Sequence, residues 1–236
     1  MYTSTVCHNS FMETILITGA SGDIGRAVVT ECLAAGYTVI AVMHSVTFQD
    51  SVDTIHPQVR TYGADVTQSA HLVLLAHALE DKKIDWVVAA HGYIDTAIQL
   101  RDISTESLEK TFAVNVFSLI YLAQAFVPQL IRGMLALSST ASLTANGKFL
   151  AYSASKAAVN TVMQGFARSI PDRVFYTLCP GPTAGQMRTR IGAQGGQEPA
   201  GVAQGIVSIL QDTSCVSGDI YSLRDGVLRL ETRITD

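Results

Sequence analysis

The chain has 236 residues and a mass of 25.2 kDa, and 48% of its residues are hydrophobic against 15% charged. That is enough apolar material for one large domain with a substantial core, and it excludes a disordered chain. A net charge of −4, a pI near 5.8 and the lack of any basic run argue against nucleic acid as a partner.

The N-terminal stretch MYTSTVCHNSF has neither a basic nor an apolar targeting region. Residues 1–12 are therefore expected to be a flexible extension, with Met12 as an alternative start and a single domain over 13–236. Ile15-Leu16-Ile17 is a short apolar run ending in Thr18-Gly19. Ala20-Ser21-Gly22-Asp23-Ile24-Gly25 leads from it into RAVVTECLAAG, giving strand, glycine-rich turn and helix, with Gly36 suited to the helix C-cap. Glycines at 19, 22 and 25 let the backbone approach a diphosphate and present N–H groups at a helix N-terminus, where the dipole favours anions.

The alternation continues. Tyr37–Met43 reads as a second strand and Val59–Ala64 as a third, followed by Asp65-Val66 and a helix through HLVLLAHALEDKK. Ile84–Ala90 is a fourth strand, and one long helix follows from about Thr105 to Leu130. Its apolar part, Phe112 to Val127, is too short for a membrane span and is broken by Asn115 and Gln124. Met134–Ser138 is a fifth strand, the helix holding Tyr152 comes next, and a sixth strand covers Arg173–Cys179. A helix near Val202–Leu210 and a last strand over Asp219–Leu223 complete the series.

This order predicts an α/β fold: a doubly wound parallel sheet in three layers, one domain, with helices on both faces. Ligands of such sheets bind at the carboxyl ends of the strands, where Gly19, Asp65, Gly92, Ser139 and Pro180 all fall. One site is implied. The four cysteines, Cys7, Cys32, Cys179 and Cys215, form no Cys-x-x-Cys pair, and no histidine stands at ligand spacing. They point to free thiols in a reducing, cytoplasmic compartment and to no metal site.

Tyr152 and Lys156 are four apart at the start of a helix, so they share a face. A phenol with a pKa near ~10 is a poor base at neutral pH, and a nearby ammonium favours its ionised form. A bare Tyr-x-x-x-Lys more often marks an ordinary helix surface. Its company separates the two.

With these residues laid out, the chain resembles the short-chain dehydrogenase/reductase family from about Thr14 to Leu228. The resemblance rests on Thr18-Gly19 with Gly22 and Gly25, Asp65-Val66, Asn115 in AVNVFS, Ser139 in LSST, YSASKAAVN from Tyr152, Pro180-Gly181 and SGDIYSLRDG. It implies a Rossmann-like oxidoreductase that moves hydride between NAD(P)(H) and a carbonyl or secondary alcohol. Tyr152 would be the general acid/base, Lys156 would lower its pKa and bond the nicotinamide ribose, Ser139 would hold the substrate oxygen, and Asn115 would anchor a water in the proton relay. Ser139 also fits a helix-capping turn, with Ser138 and Thr140 as competitors for its role, and Asn115 also fits a buried amide bonded to backbone. Gly19, Ser21, Gly22, Asp23, Ile24 and Gly25 would line the diphosphate, and Asp65 and Val66 the adenine. Asp65 equally fits a helix N-cap. Ala90, His91, Gly92, Pro180, Gly181 and Thr183 would surround the nicotinamide.

The sequence also departs from the family. The usual second glycine of the phosphate loop is Asp23, whose charge would repel a diphosphate unless it points away, for instance by capping the helix that follows. The usual Asn-Asn-Ala-Gly is Ala89-Ala90-His91-Gly92, and the usual threonine after Pro180-Gly181 aligns with Gly185. The second strand ends in Met43-His44-Ser45 with no carboxylate, which permits NADP and gives it preference over NAD, with His44 as a phosphate donor. A short lid rich in Gly and Gln covers about 185–199; its Arg188 and Arg190 fit solvated lid charges by default and are otherwise the candidates to meet an acidic substrate. The expected partner is a small carbonyl or alcohol substrate, without nucleic acid or membrane, in a homodimer or homotetramer. The alternatives are a non-catalytic dinucleotide sensor of the same fold and an NAD-dependent epimerase or dehydratase.

Overall fold

The computed structural model describes residues 12–44, 56–144 and 147–233. Cys7, Ser45 and nearly all of the expected N-terminal extension lie outside them. Eight strands form one sheet in the order β3-β2-β1-β4-β5-β6-β7-β8. They are β1 (Thr14–Thr18), β2 (Thr38–Met43), β3 (Val59–Gly63), β4 (Ile84–Ala89), β5 (Leu130–Leu137), β6 (Val174–Pro180), β7 (Ile220–Arg224) and β8 (Val227–Thr232). All neighbours pair in parallel except β7 and β8. The strand order reverses between β1 and β4, which opens a crevice at their carboxyl ends.

Side chains alternate across the strands, so β1, β2, β4, β5 and β6 each feed two cores, while β8 is exposed. Ile15 and Ile17 of β1 pack on one face with Val28 and Cys32 of α1 (Asp23–Ala34) and with Val202 and Ile206 of α7 (Pro199–Gln211). Leu16 packs on the other face, where α2 (Ser69–Ala78) supplies Leu72 and Leu75, α4 (Ser118–Phe126) supplies Leu119, Leu122 and Phe126, and α5 (Leu150–Ser169) supplies Val159 and Met163. The predicted three-layer doubly wound sheet is the fold observed.

Several boundaries differ from expectation. The long helix is composite: α3 (Thr105–Phe112), a π-turn over Ala113–Phe117 that contains Asn115, then α4. It gives way to a 3₁₀ turn at Val127–Gln129, because Pro128 lacks the N–H a further turn needs. The run Thr105–Gln129 has 25 residues and, by length and composition, could cross a bilayer, but in the fold it lies against the sheet. β5 starts at Leu130, four residues before its apolar core, and Gly133 allows this, since a Cβ there would lie 1.9 Å from the carbonyl oxygen of Val174 in β6. Two elements escaped the sequence: β8, and the one-and-a-half-turn α6 (Gln186–Arg190) inside the lid.

Candidate active site

The carboxyl ends of β1, β4, β5 and β6 surround a cavity of about 550 Å³. One end is the glycine turn. Gly19 has φ +69° and its Cα faces the backbone of His91, so a Cβ would lie 2.6 Å from the His91 nitrogen. Gly25 sits on the Gly19 carbonyl, where a Cβ would lie 2.0 Å away. The turn thus packs backbone on backbone and leads directly into α1, whose N-cap Gly22 offers no side-chain acceptor to the first-turn N–H groups. Ser21, Asp23 and Ile24 also line the cavity.

The other end holds Ser139, Tyr152 and Lys156. Ser139 follows β5 and caps the 3₁₀ turn Thr140–Ser142 by accepting from the Ala141 N–H (3.1 Å), so its capping and cavity-lining roles coexist. Ser138, its competitor, donates to the Lys156 carbonyl (2.9 Å). Burial pushes the Tyr152 phenol above its ordinary value, and a hydrogen bond with Ser139 opposes that rise. Lys156 is 3% exposed and donates to the Leu137 carbonyl at 2.8 Å. Burial lowers its pKa to about 8. Its ammonium lies 5.8 Å from the centre of the Tyr152 ring. The expected lowering of the Tyr152 pKa by Lys156 is not seen: burial dominates and raises it, which leaves a neutral phenol, the form that donates a proton.

Asn115 does not line the cavity. It is 2% exposed, and its carboxamide accepts from the Tyr93 N–H (2.7 Å) and donates to the Tyr93 carbonyl and the Ser155 hydroxyl (both 2.9 Å). It clamps the loop after β4. The π-turn swings it out of the α-helical register to do so.

His91 follows β4 and lines the cavity with Ala90 and Gly92, but its ring is engaged elsewhere. Nδ1 meets the Thr18 hydroxyl at 2.6 Å and Nε2 meets the Ser118 hydroxyl at 2.7 Å, while Ser118 donates to the Val114 carbonyl. That donation leaves Ser118 accepting from an Nε2–H and Nδ1 accepting from Thr18. Burial first, and the Lys156 charge second, lower the His91 pKa to about 3. The ring is a neutral strut from β1 to α4.

His44, Asp65 and Val66 lie beyond the cavity walls, at the ends of β2 and β3. His44 is exposed, with Nε2 3.7 Å from Asp65 Oδ2. Asp65 accepts from the Thr67 N–H (2.9 Å) and hydroxyl (2.7 Å), a turn-capping arrangement that holds its pKa down. Pro180, Gly181 and Thr183 close the cavity at the end of β6, with Thr183 donating to the Gly181 carbonyl (3.0 Å). Asp23 does not cap α1. Its Oδ2 accepts from the Gln186 N–H in the lid at 2.7 Å.

The lid's Met187, Arg188 and Ile191, with Ile94, Phe149 and Ser153, complete the wall around Tyr152 and were not singled out from the sequence except for Arg188. Arg190 instead covers the Tyr93 ring, 5.0 Å from its centre. Phe149 has φ +52° just ahead of α5, and the neighbouring Gly147 was the only local sign of a tight bend there. Among the described residues no three His, Cys, Asp or Glu side chains converge on a metal geometry.

A family model described as short chain dehydrogenase matches residues 13–195. The chain is 26% identical to an uncharacterized oxidoreductase, YghA, of Escherichia coli over 245 residues, covering 89% of this chain and 81% of that one. By structure it is similar to ElxO with NADP bound (TM-score 0.80, 17% identity, 89% and 96% of the two chains). It is equally similar to a short-chain type dehydrogenase/reductase from Mycobacterium ulcerans (TM-score 0.79, 21% identity, 92% and 90%). At these identities the structural likenesses speak for the fold alone, and the family match carries the assignment: the chain belongs to the short-chain dehydrogenase/reductase family of oxidoreductases.

Proposed function

We propose that the protein is an NADP-preferring reductase of a small carbonyl compound, with Tyr152 as general acid and Ser139 and Lys156 beside it. The observation that carries this reading is the single cavity running from the glycine turn to Tyr152. A turn with no room for a Cβ at Gly19 or Gly25, leading into helix N–H groups without a side-chain cap, fits a diphosphate. The dinucleotide, when bound, supplies the hydride.

Gly19, Ser21, Gly22, Asp23, Ile24 and Gly25 would hold its diphosphate, and His44, Asp65 and Val66 its adenosine end. Ala90, His91, Gly92, Pro180, Gly181, Thr183, Tyr152 and Lys156 would hold the nicotinamide end. Two observations support the cofactor preference: β2 ends without a carboxylate, and the exposed His44 stands there as a donor, as a 2′-phosphate requires.

The protein's own groups then act in a defined order. Ser139 orients the carbonyl oxygen, Tyr152 gives it a proton, and Lys156, charged below pH about 8, stabilises the phenolate left behind. Asn115 and His91 keep the surrounding loops in place. We read the protein as a cytoplasmic homo-oligomer with the lid over about 185–199 defining the substrate mouth. Calorimetric titration of nucleotide-stripped protein with NADPH and NADH in parallel tests the cofactor. At least tenfold tighter NADPH, or about 1.4 kcal/mol, supports the proposal. Binding of neither below about a millimolar would remove the oxidoreductase mechanism and favour a protein that has kept only the fold.

A further inference from the structure

The segment 182–197 is a loop closed at its neck. The Ala184 N–H donates to the Gln197 carbonyl (2.9 Å) and the Gln197 N–H to the Pro182 carbonyl (2.8 Å). Beyond the neck, α6 is held by contacts to other elements. At its start, the Gln186 N–H donates to Asp23 Oδ2 (2.7 Å), while Asp23 Oδ1 faces Arg26 at 3.4 Å. At its end, Arg190 lies over Tyr93, which Lys110 covers from 4.7 Å.

The first contact is shaped by what stands next to it. Gly185 has φ +143°, and a Cβ there would fall 2.3 Å from Asp23 Oδ2 and 2.6 Å from Asp23 Cγ. The carboxylate is therefore seated on the lid backbone, and only glycine leaves it room. Two residues further along, the Met187 methyl reaches to 3.8 Å from the point a Cβ on Gly92 would occupy. Lys156 Nζ is 3.4 Å from that same point. A bond at Asp23 thus sets where the lid meets the reacting end of the cavity.

We infer that Asp23 is a positioning residue that ties the lid to the glycine turn and so sets Met187 against Gly92 beside Lys156. The acid at 23 and the glycine at 185, which look like two separate losses from the family pattern, are the two halves of one contact. The carboxylate that would repel a diphosphate is turned onto a backbone N–H instead. The coupling is reciprocal: whatever displaces Asp23 frees the lid, and an open lid frees Asp23.

Trypsin tests this, because Arg188 and Arg190 lie in the held segment. Cleavage after them is timed in dinucleotide-free wild type, Asp23→Asn, Asp23→Ala and Gly185→Ala. An amide oxygen still accepts from Gln186, whereas a methyl does not. Losing a hydrogen bond to a charged acceptor opens a local segment roughly ten- to a hundredfold more often. Asp23→Ala and Gly185→Ala are expected to be cut at the lid at least about tenfold faster than wild type, with cleavage elsewhere unchanged, and Asp23→Asn within about threefold of wild type. Wild-type lid cleavage in Asp23→Ala, or Asp23→Asn cut as fast as Asp23→Ala, overturns the proposal. In turnover assays, Asp23→Ala raises the KM for the carbonyl and Asp23→Asn restores it. This second arm rests on the proposed reductase function and the first does not. A fast-cut lid in a protein without turnover would thus sink the function and keep the tie.

Discussion

Around Tyr152 the site is held by buried and part-buried hydrogen bonds between strands, loops and helices, while beyond its neck the lid helix α6 is held by the Asp23 carboxylate and the Tyr93 ring. Asn115 locks the loop after β4, His91 joins β1 to α4, Ser138 joins β5 to α5, and Lys156 ties α5 back to β5. These bonds are buried or part-buried, so losing a partner leaves a largely desolvated polar group unmatched. The lid contacts are exposed or half-buried, and opening them exposes little. The difference assigns each half a task. On the proposed reading the reacting groups are preorganised, and access to them falls to the more exposed lid.

The contrast can be broken most forcefully at His91. Its pKa of about 3 in the fold lies below the ordinary 6.5, so between those values the unfolded chain binds a proton that the folded chain refuses. Stability is therefore full above 6.5 and falls as the pH drops, by up to about 4–5 kcal/mol near pH 3. Denaturant unfolding of His91→Gln beside wild type should show this acid sensitivity shrink in the variant. Equal slopes would mean the ring is not held neutral.

Lys156 comes next. Its lowered pKa means that folding carries the burden of a buried charge below pH about 8, a burden that fades towards its ordinary 10.5. Lys156→Met should abolish turnover. It should also gain up to ~3 kcal/mol of stability at neutral pH relative to its effect at high pH. A pH-independent difference between the two proteins would contradict this.

Asn115→Ala strands the Tyr93 N–H and carbonyl and is expected to cost ~2–3 kcal/mol, read as a lower melting temperature. Asp23→Ala marks the other side of the comparison, changing the melting temperature least while freeing the lid. A large loss of global stability in that variant would erase the distinction between the two regions.

Much of this was legible because the informative residues act locally. Tyr152 and Lys156 are marked by their spacing together with the motifs around them, and Gly19, Gly22 and Gly25 by the turn they permit. The parallel, doubly wound sheet followed from alternation of apolar runs with helices, while the order of its strands came from the structure. What was hidden depended on partners distant in sequence. Asp23 finds Gln186, 163 positions away, so the sequence offered only its own helix as something to cap. His91 could be read as facing a ligand because Thr18 and Ser118, its partners, lie 73 and 27 positions away. The missed β8 is different in kind. Asp225-Gly226, both at positive φ, is a tight hairpin turn of a type that Asp-Gly marks, and it stood in plain view.

Carbonyl reduction in this cavity with Tyr152 as the acid is tested directly by a screen of carbonyl compounds with NADPH, followed by single-turnover hydride transfer in wild type and Tyr152→Phe. Expected are transfer in wild type, a fall of about 10²–10⁴-fold in the variant, and NADPH affinity unchanged within about threefold. Transfer in Tyr152→Phe at the wild-type rate would contradict it.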